Sequence, residues 1–248
     1  MFKRTLKTLA MISPLIVAGT ASAMTITADN SWNGQHSVLV SGTTITACST
    51  TSSCSTGLLG NRDIPTVGAG IGVQGHDNNE IDWYGGDDGS EMLRFSFSAS
   101  VINSLELGLL FDGPEYSDFL EVATFRVTYV GGGISTFSLT PNYDLGTATW
   151  SGSGAWVGTD LVNGGAGRWI NGANPFGSGA VTQLDMYASM GTCAASLSCS
   201  DQSDYLFRSL VATPVGIDQQ DVPEPMSLLL LGSGLLGVAA ARRRKALA

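Results

Sequence analysis

The run EMLRFSFS, residues 91–98, alternates apolar and polar side chains with a period of two. Leu93, Phe95 and Phe97 fall on one side and Arg94, Ser96 and Ser98 on the other. Successive side chains of an extended chain point to opposite faces, so this pattern fits a strand with one buried and one wet face and fits a helix badly. VINSLELGLLF repeats the pattern with Leu105, Leu107, Leu109 and Phe111. Further strands are expected in EVATFRVTYV (Phe125, Val127, Tyr129), ISTFSLT (Ile134, Phe137, Leu139) and AVTQLDMYA, with SDYLFRSLVATPV as a closing strand. Between them lie GGG, SGSG, NGG and NGANPFGSG, which are turn-forming. No stretch of this region carries sustained helical periodicity with caps. Short strands joined by glycine-rich turns predict an all-β domain over residues 24–212, an antiparallel β-sandwich of jelly-roll type, with residues 213–221 as a linker.

The two ends of the chain obey a different logic. MFKRTLKTLAMISPLIVAGTASA opens with Lys3, Arg4 and Lys7, continues with an apolar run and closes with Ala21-Ser22-Ala23. This is the layout of a secretory signal peptide over residues 1–23, cut by signal peptidase after Ala23. At the other end Pro223 and Pro225 lack amide donors and favour an extended segment. The sixteen residues Met226–Ala241 then carry no charge. As a helix they reach about 24 Å, somewhat short of a ~30 Å hydrocarbon core. Arg242, Arg243, Arg244 and Lys245 follow at once, a cluster that is retained on the cytoplasmic side and so leaves the preceding domain outside.

Val222-Pro-Glu-Pro225, an apolar helix and an arginine cluster, in that order, resemble the PEP-CTERM sorting signal, also known as the ice-binding-protein C-terminal domain. In the resemblance Pro223, Glu224 and Pro225 are the motif, residues 226–241 the single transmembrane helix and Arg242–Lys245 the basic stop, within a sorting signal spanning 222–248. The resemblance implies export through the inner membrane of a Gram-negative bacterium that makes extracellular polysaccharide. It further implies processing by an exosortase, a membrane-embedded transpeptidase-like enzyme, and delivery to the cell surface or medium. NEID, residues 79–82, and LELGLLFDGPEYSDFLEVA, residues 105–123, are similar to segments of a subgroup of PEP-CTERM surface proteins.

Charge narrows the range of partners. Residues 24–221 hold five arginines, no lysine and twenty acidic residues, a formal charge of −15. Such a surface repels phosphate backbones, which excludes nucleic acid as a partner. The four cysteines fall as Cys48/Cys54 and Cys193/Cys199, each pair six apart with no histidine close by, a spacing unlike that of zinc sites. In an oxidising compartment local closure costs the least entropy, so Cys48–Cys54 and Cys193–Cys199 are the expected disulfides. Cross-pairing between the two loops is the competing connectivity.

Catalytic material is scarce. Residues 24–221 hold two histidines, His36 and His76, and lack a nucleophile elbow, a His-Glu-x-x-His and a phosphate loop. A glycosidase carboxylate pair could be drawn from Glu80, Glu91, Glu106, Glu115 and Glu121, but acids this numerous read as a solvated face, and no enzyme is expected. Two non-catalytic readings remain. The leading one is a structural component of the cell surface, biofilm or exopolysaccharide matrix. The other is a carbohydrate-binding module in which Trp150, Trp156 and Trp169, set among Gly, Ser and Asn, stack on sugar rings. Against it stands the prospect that these tryptophans cap the ends of the core. The acidic run GHDNNEIDWYGGDDGSE, residues 75–91, offers Asp77, Asn79, Glu80 and Asp82 as ligands for a structural calcium ion, the competing reading being a hydrated acidic loop.

Overall fold

The computed structural model describes residues 22–75, 78–84, 89–111, 120–142, 146–162, 165–192 and 203–216. The signal peptide through Ala21, the tail from residue 217 onward, Cys193, Cys199, Asp77 and Glu115 lie outside them. The described chain is all-β and antiparallel. Six strands come from the first third: β1 (Met24–Thr27), β2 (Ser37–Val40), β3 (Thr43–Cys48), β4 (Leu58–Ile64), β5 (Gly68–Gln74) and β6 (Ile81–Asp82). The strand β7 (Met92–Gly108) follows, then β8 (Leu120–Tyr129), β9 (Ile134–Pro141) and β10 (Ala148–Trp150). The last four are β11 (Val157–Val162), β12 (Gly165–Asn171), β13 (Val181–Thr192) and β14 (Asp204–Pro214). A 3-10 turn at Asn30–Trp32 is capped by Asp29, whose carboxylate accepts from the Ser31 amide at 2.8 Å.

The strand β7 organises the rest. EMLRFSFS and VINSLELGLLF, read above as separate strands, are one continuous strand of 17 residues. Its first half lies between β3 and β13, and its second half between β14 and β12. From β13 the network continues through β8 and β9 to β10; from β14 it continues through β5 to β4. The hairpin partners β2 and β11 complete the other two sides. One strand can serve both halves because its partners slip register beside its middle, between Val181 and Gln183 on β13 and between Val211 and Ala212 on β14. Bulges of this kind bend and twist a ladder. The expected alternation is seen on either side of the bend: Leu93, Phe95 and Phe97 are buried and Ser96 and Ser98 exposed, and beyond it Leu105 and Leu107 are buried. The strand then ends at Gly108, and Leu109 turns away with φ +60° into a small cluster with Val67 and Leu206.

The core is shared by strands gathered on both halves of β7. Phe95 of β7 and Phe207 of β14 meet at 4.8 Å between ring centroids, and Phe125 of β8 reaches Tyr205 of β14 at 6.5 Å. Each buried side chain of this size contributes roughly 1.5–3 kcal/mol by leaving water. The strand β14 closes the domain. Its one edge runs along β7, and its other edge is covered in turn by β6, β5 and β1. It extends to Pro214, two residues into the segment read as a linker.

Candidate functional site

The outer face of the first half carries a row of side chains brought together by strand register: Thr46, Arg94, Asp185, Arg126 and Thr136, from β3, β7, β13, β8 and β9. Asp185 is fully buried at its centre. Its carboxylate accepts from Arg94 Nε (2.8 Å) and Nη2 (3.1 Å) and from Arg126 Nη2 (2.7 Å) and Nε (3.1 Å). Gln183 Nε2 adds contacts at 3.1 Å to both oxygens. A second group of the same composition sits on the other half of β7, where Glu106 accepts from Arg168 Nε and Arg208 Nε, both at 2.7 Å, and from Ser209 Oγ at 3.0 Å. Burial works to raise the Glu106 pKa, but these hydrogen bonds outweigh it and hold the carboxyl below its ordinary value. Arg62 pairs with Glu80. All five arginines of the domain are thus paired with carboxylates of the domain itself.

Beside the Asp185 row lies a cleft of about 350 Å³. Tyr187, Ala188, Ser189 and Met190, at the end of β13, form its floor, and Thr51, Trp83 and Ser90 its walls. Three local structures set these walls. The Cys48–Cys54 disulfide closes the loop that carries Thr51. Trp83 and Ser90 form an antiparallel bridge, and the Trp83 amide donates to Ser203 O at 3.1 Å. Tyr84 ties this bridge to the disulfide loop, its hydroxyl donating to Ser49 O at 3.0 Å. Ser90 Oγ donates to Ala188 O at 2.6 Å, which fixes wall to floor, and Ser189 Oγ pairs with Thr124 Oγ1 of β8 at 2.7 Å. Burial pushes the Tyr187 phenol up against the opposing pull of Arg126, so it stays protonated at neutral pH. The cleft offers hydroxyls, a half-buried indole, a phenol and an exposed thioether; among its described lining residues there is no carboxylate, histidine or thiol.

The residues expected from sequence are placed differently. Trp156 and Trp169 are 3 % and 0 % exposed. Neither presents an indole face to solvent, which corrects their assignment as a sugar-stacking platform. Trp169 is aligned with Leu107 of β7, and its Nε1 donates to Leu110 O at 2.7 Å. Trp156 lies parallel to Phe125 at 6.2 Å. Trp150 is half-buried, edge-on to Phe125 at 5.6 Å, with its Nε1 donating to Ser153 O at 2.9 Å. The apolar area of the rings outweighs the polarity of their neighbours in sequence.

Of the four residues read as calcium ligands, the three described ones do not converge. Gly60 and Gly72 face each other on β4 and β5, and a side chain at either would collide with Asn79 or the backbone of Glu80. The turn therefore packs directly on this hairpin, with Asn79 Nδ2 donating to Asn61 O at 3.2 Å and Glu80 held by Arg62. Asp82 is buried in β6. Among the described residues no group of three or more His, Cys, Asp or Glu is placed to hold a metal ion. The carboxylates read as a possible glycosidase pair are scattered too: Glu80 and Glu106 hold arginines, and Glu121 accepts from the Phe111 amide. The cleft residues escaped the sequence reading, although the Trp83-Tyr84 pair inside an acidic run was a visible signal. Cys48 and Cys54 are bonded to each other, as expected for the first pair, while the expected Cys193–Cys199 bond lies outside the described residues.

Residues 221–245 match the PEP-CTERM protein-sorting motif, a span that takes in Pro223, Glu224, Pro225, the apolar run and Arg242–Lys245. The chain carries a PEP-CTERM tail. No curated protein and no solved structure matches the chain. A PEP-CTERM tail marks an exported protein that is sorted by an exosortase, with a membrane-anchored signal before release to the cell surface. Among the described residues no helix is long and apolar enough to cross a membrane. The geometry relates the PEP-CTERM tail to the cleft through β14. Ser203, which holds Trp83, immediately precedes that strand, and the chain leaves toward the tail after Pro214. Eleven residues of strand separate the two by roughly 33 Å. Met24 pairs with Ala212 and so lies at the tail end as well.

Proposed function

We propose that the protein is a structural component of the bacterial surface or extracellular matrix, exported, briefly anchored and then freed by exosortase. Signal peptidase cuts after Ala23, leaving Met24 at the start of β1. The helix 226–241 holds the domain outside the inner membrane of a Gram-negative cell, with Arg242–Lys245 on the cytoplasmic side. The observation that carries this reading is the sorting motif at 221–245, standing directly behind the last strand of an acidic domain. The formal charge of −15 over residues 24–221 supports it, because a chain of high net charge stays soluble and repels other acidic chains. Within this reading the domain is a β-sandwich of jelly-roll type, its two layers being the sheets gathered on the two halves of β7; the contacts of Phe95 with Phe207 and of Phe125 with Tyr205 across the core support that.

Intact mass of the extracellular protein, from cells with and without the exosortase, tests the proposal. The expected species runs from Met24 to near Pro225 and depends on the enzyme. Surface protein that still carries Arg242–Ala248 would make the tail a permanent anchor and overturn the reading.

A further inference from the structure

We propose that the cleft beside Tyr187 binds a neutral saccharide. A sugar ring presents a face of C–H groups and a rim of hydroxyls, and the cleft matches both. Trp83 and Met190 supply apolar surface for the face, the indole half-buried and Met190 66 % exposed. Hydroxyls of Thr51, Ser90, Tyr187 and Ser189 supply the rim. Ser90 gives its proton to Ala188 O, which leaves its lone pairs to accept from a ligand hydroxyl. Tyr187, held protonated, can donate. A purely apolar ligand would strip water from these hydroxyls without replacing it and is disfavoured.

An anionic ligand is disfavoured for a different reason. Arg94 and Arg126, the cations nearest the cleft, are both committed to Asp185, and the surrounding domain is strongly acidic. A volume of about 350 Å³ is at the lower end of the ~300–1,000 Å³ of ligand sites and suits one or two sugar rings of a longer chain. The cleft lies beside the start of β14, the end of that strand opposite the tail exit. Binding there does not depend on the proposed sorting route.

The full chain, purified in a detergent without a sugar head group, is titrated with cellotetraose, laminaritetraose and mannotetraose, and with polygalacturonate as the anionic control, following Trp fluorescence and heat. At least one neutral tetrasaccharide is expected to bind. Trp83→Ala and, independently, Met190→Lys are each expected to weaken that binding at least tenfold. Met190 is exposed, so its variant keeps the melting temperature of the wild type and guards against loss of binding through misfolding. Trp150→Phe, in the core, should leave affinity unchanged. Absence of binding to every neutral probe, binding to polygalacturonate alone, or binding undiminished in Met190→Lys would overturn the inference. None of these results bears on the intact-mass test of sorting, so the two readings fail separately.

Discussion

Replacing Asp185 with Asn removes one charge from a site where two arginines and a glutamine converge, and changes little in volume. The wild-type carboxylate accepts four arginine contacts between 2.7 and 3.1 Å. The amide keeps one acceptor oxygen and turns the other position into a donor that faces guanidinium donors. Each hydrogen bond to a charged group is worth roughly 1.5–3 kcal/mol, and removing one partner of a buried ion pair costs roughly 3–5 kcal/mol. The Arg94 and Arg126 side chains keep 29 % and 35 % of their exposure and can partly rehydrate, so the lower end applies, about 3 kcal/mol. For a domain of this size that corresponds to a fall in Tm of about 6–12 °C. Urea melts of the wild type and Asp185→Asn, compared at equal m-value, measure it. A companion variant with Asp185→Leu, Arg94→Met and Arg126→Leu removes the acceptor with both charged donors, leaves the partly exposed Gln183 amide to water, and should recover most of the loss, since buried ion groups can be replaced by apolar side chains at little cost. A loss under 1 kcal/mol for Asp185→Asn, or a triple variant less stable than the single one, refutes the view that this carboxylate is held by its partners.

Two further outcomes follow from the same geometry. Cys48→Ser with Cys54→Ser opens a loop of six-residue separation, which by chain entropy costs about 2 kcal/mol, or a Tm lower by roughly 4–8 °C; an unchanged melt would show that the loop is held without its bond. Glu106, whose folded pKa is depressed, contributes stability that is present above the unfolded value of ~4.3 and is lost as pH falls through the folded one. The loss of Tm between pH 7 and pH 3 should therefore be smaller in Glu106→Gln than in the wild type, and equal losses would contradict the assignment.

What the sequence disclosed was local. Alternation in residues 91–98 and 105–107 named the buried face correctly, because period two is a property of the strand itself. The fusion of both runs into β7 was not legible, since it depends on register slips in β13 and β14, far away in the chain. Distance in sequence also hid the ion pairs: Asp185 stands 91 residues from Arg94 and 59 from Arg126. The short disulfide loop, by contrast, could be anticipated from spacing alone. The tryptophans misled because glycine, serine and asparagine around Trp156 and Trp169 signalled loops, whereas Trp169 of β12 is buried beside β7 and Trp156, just before β11, is buried against Phe125 of β8. The cleft was hidden for a related reason, for its wall and floor come from residues 51, 83, 90 and 187–190, which no local pattern connects.

The strand β14 also fixes how the domain meets force. While the tail still holds the domain, before the exosortase frees it, a pull on the domain transmits tension along the axis of β14 from Pro214. The hydrogen bonds to β7 on one edge and to β1 on the other lie across that axis, so they are stretched together in shear rather than broken one after another as in a peeled hairpin. The pairing of Met24 with Ala212 sets this resistance at the point where tension enters. A chain lacking Met24–Thr27 would present β14 to the pull with that edge bare beside Ser209–Ala212, and its tether would give way there first.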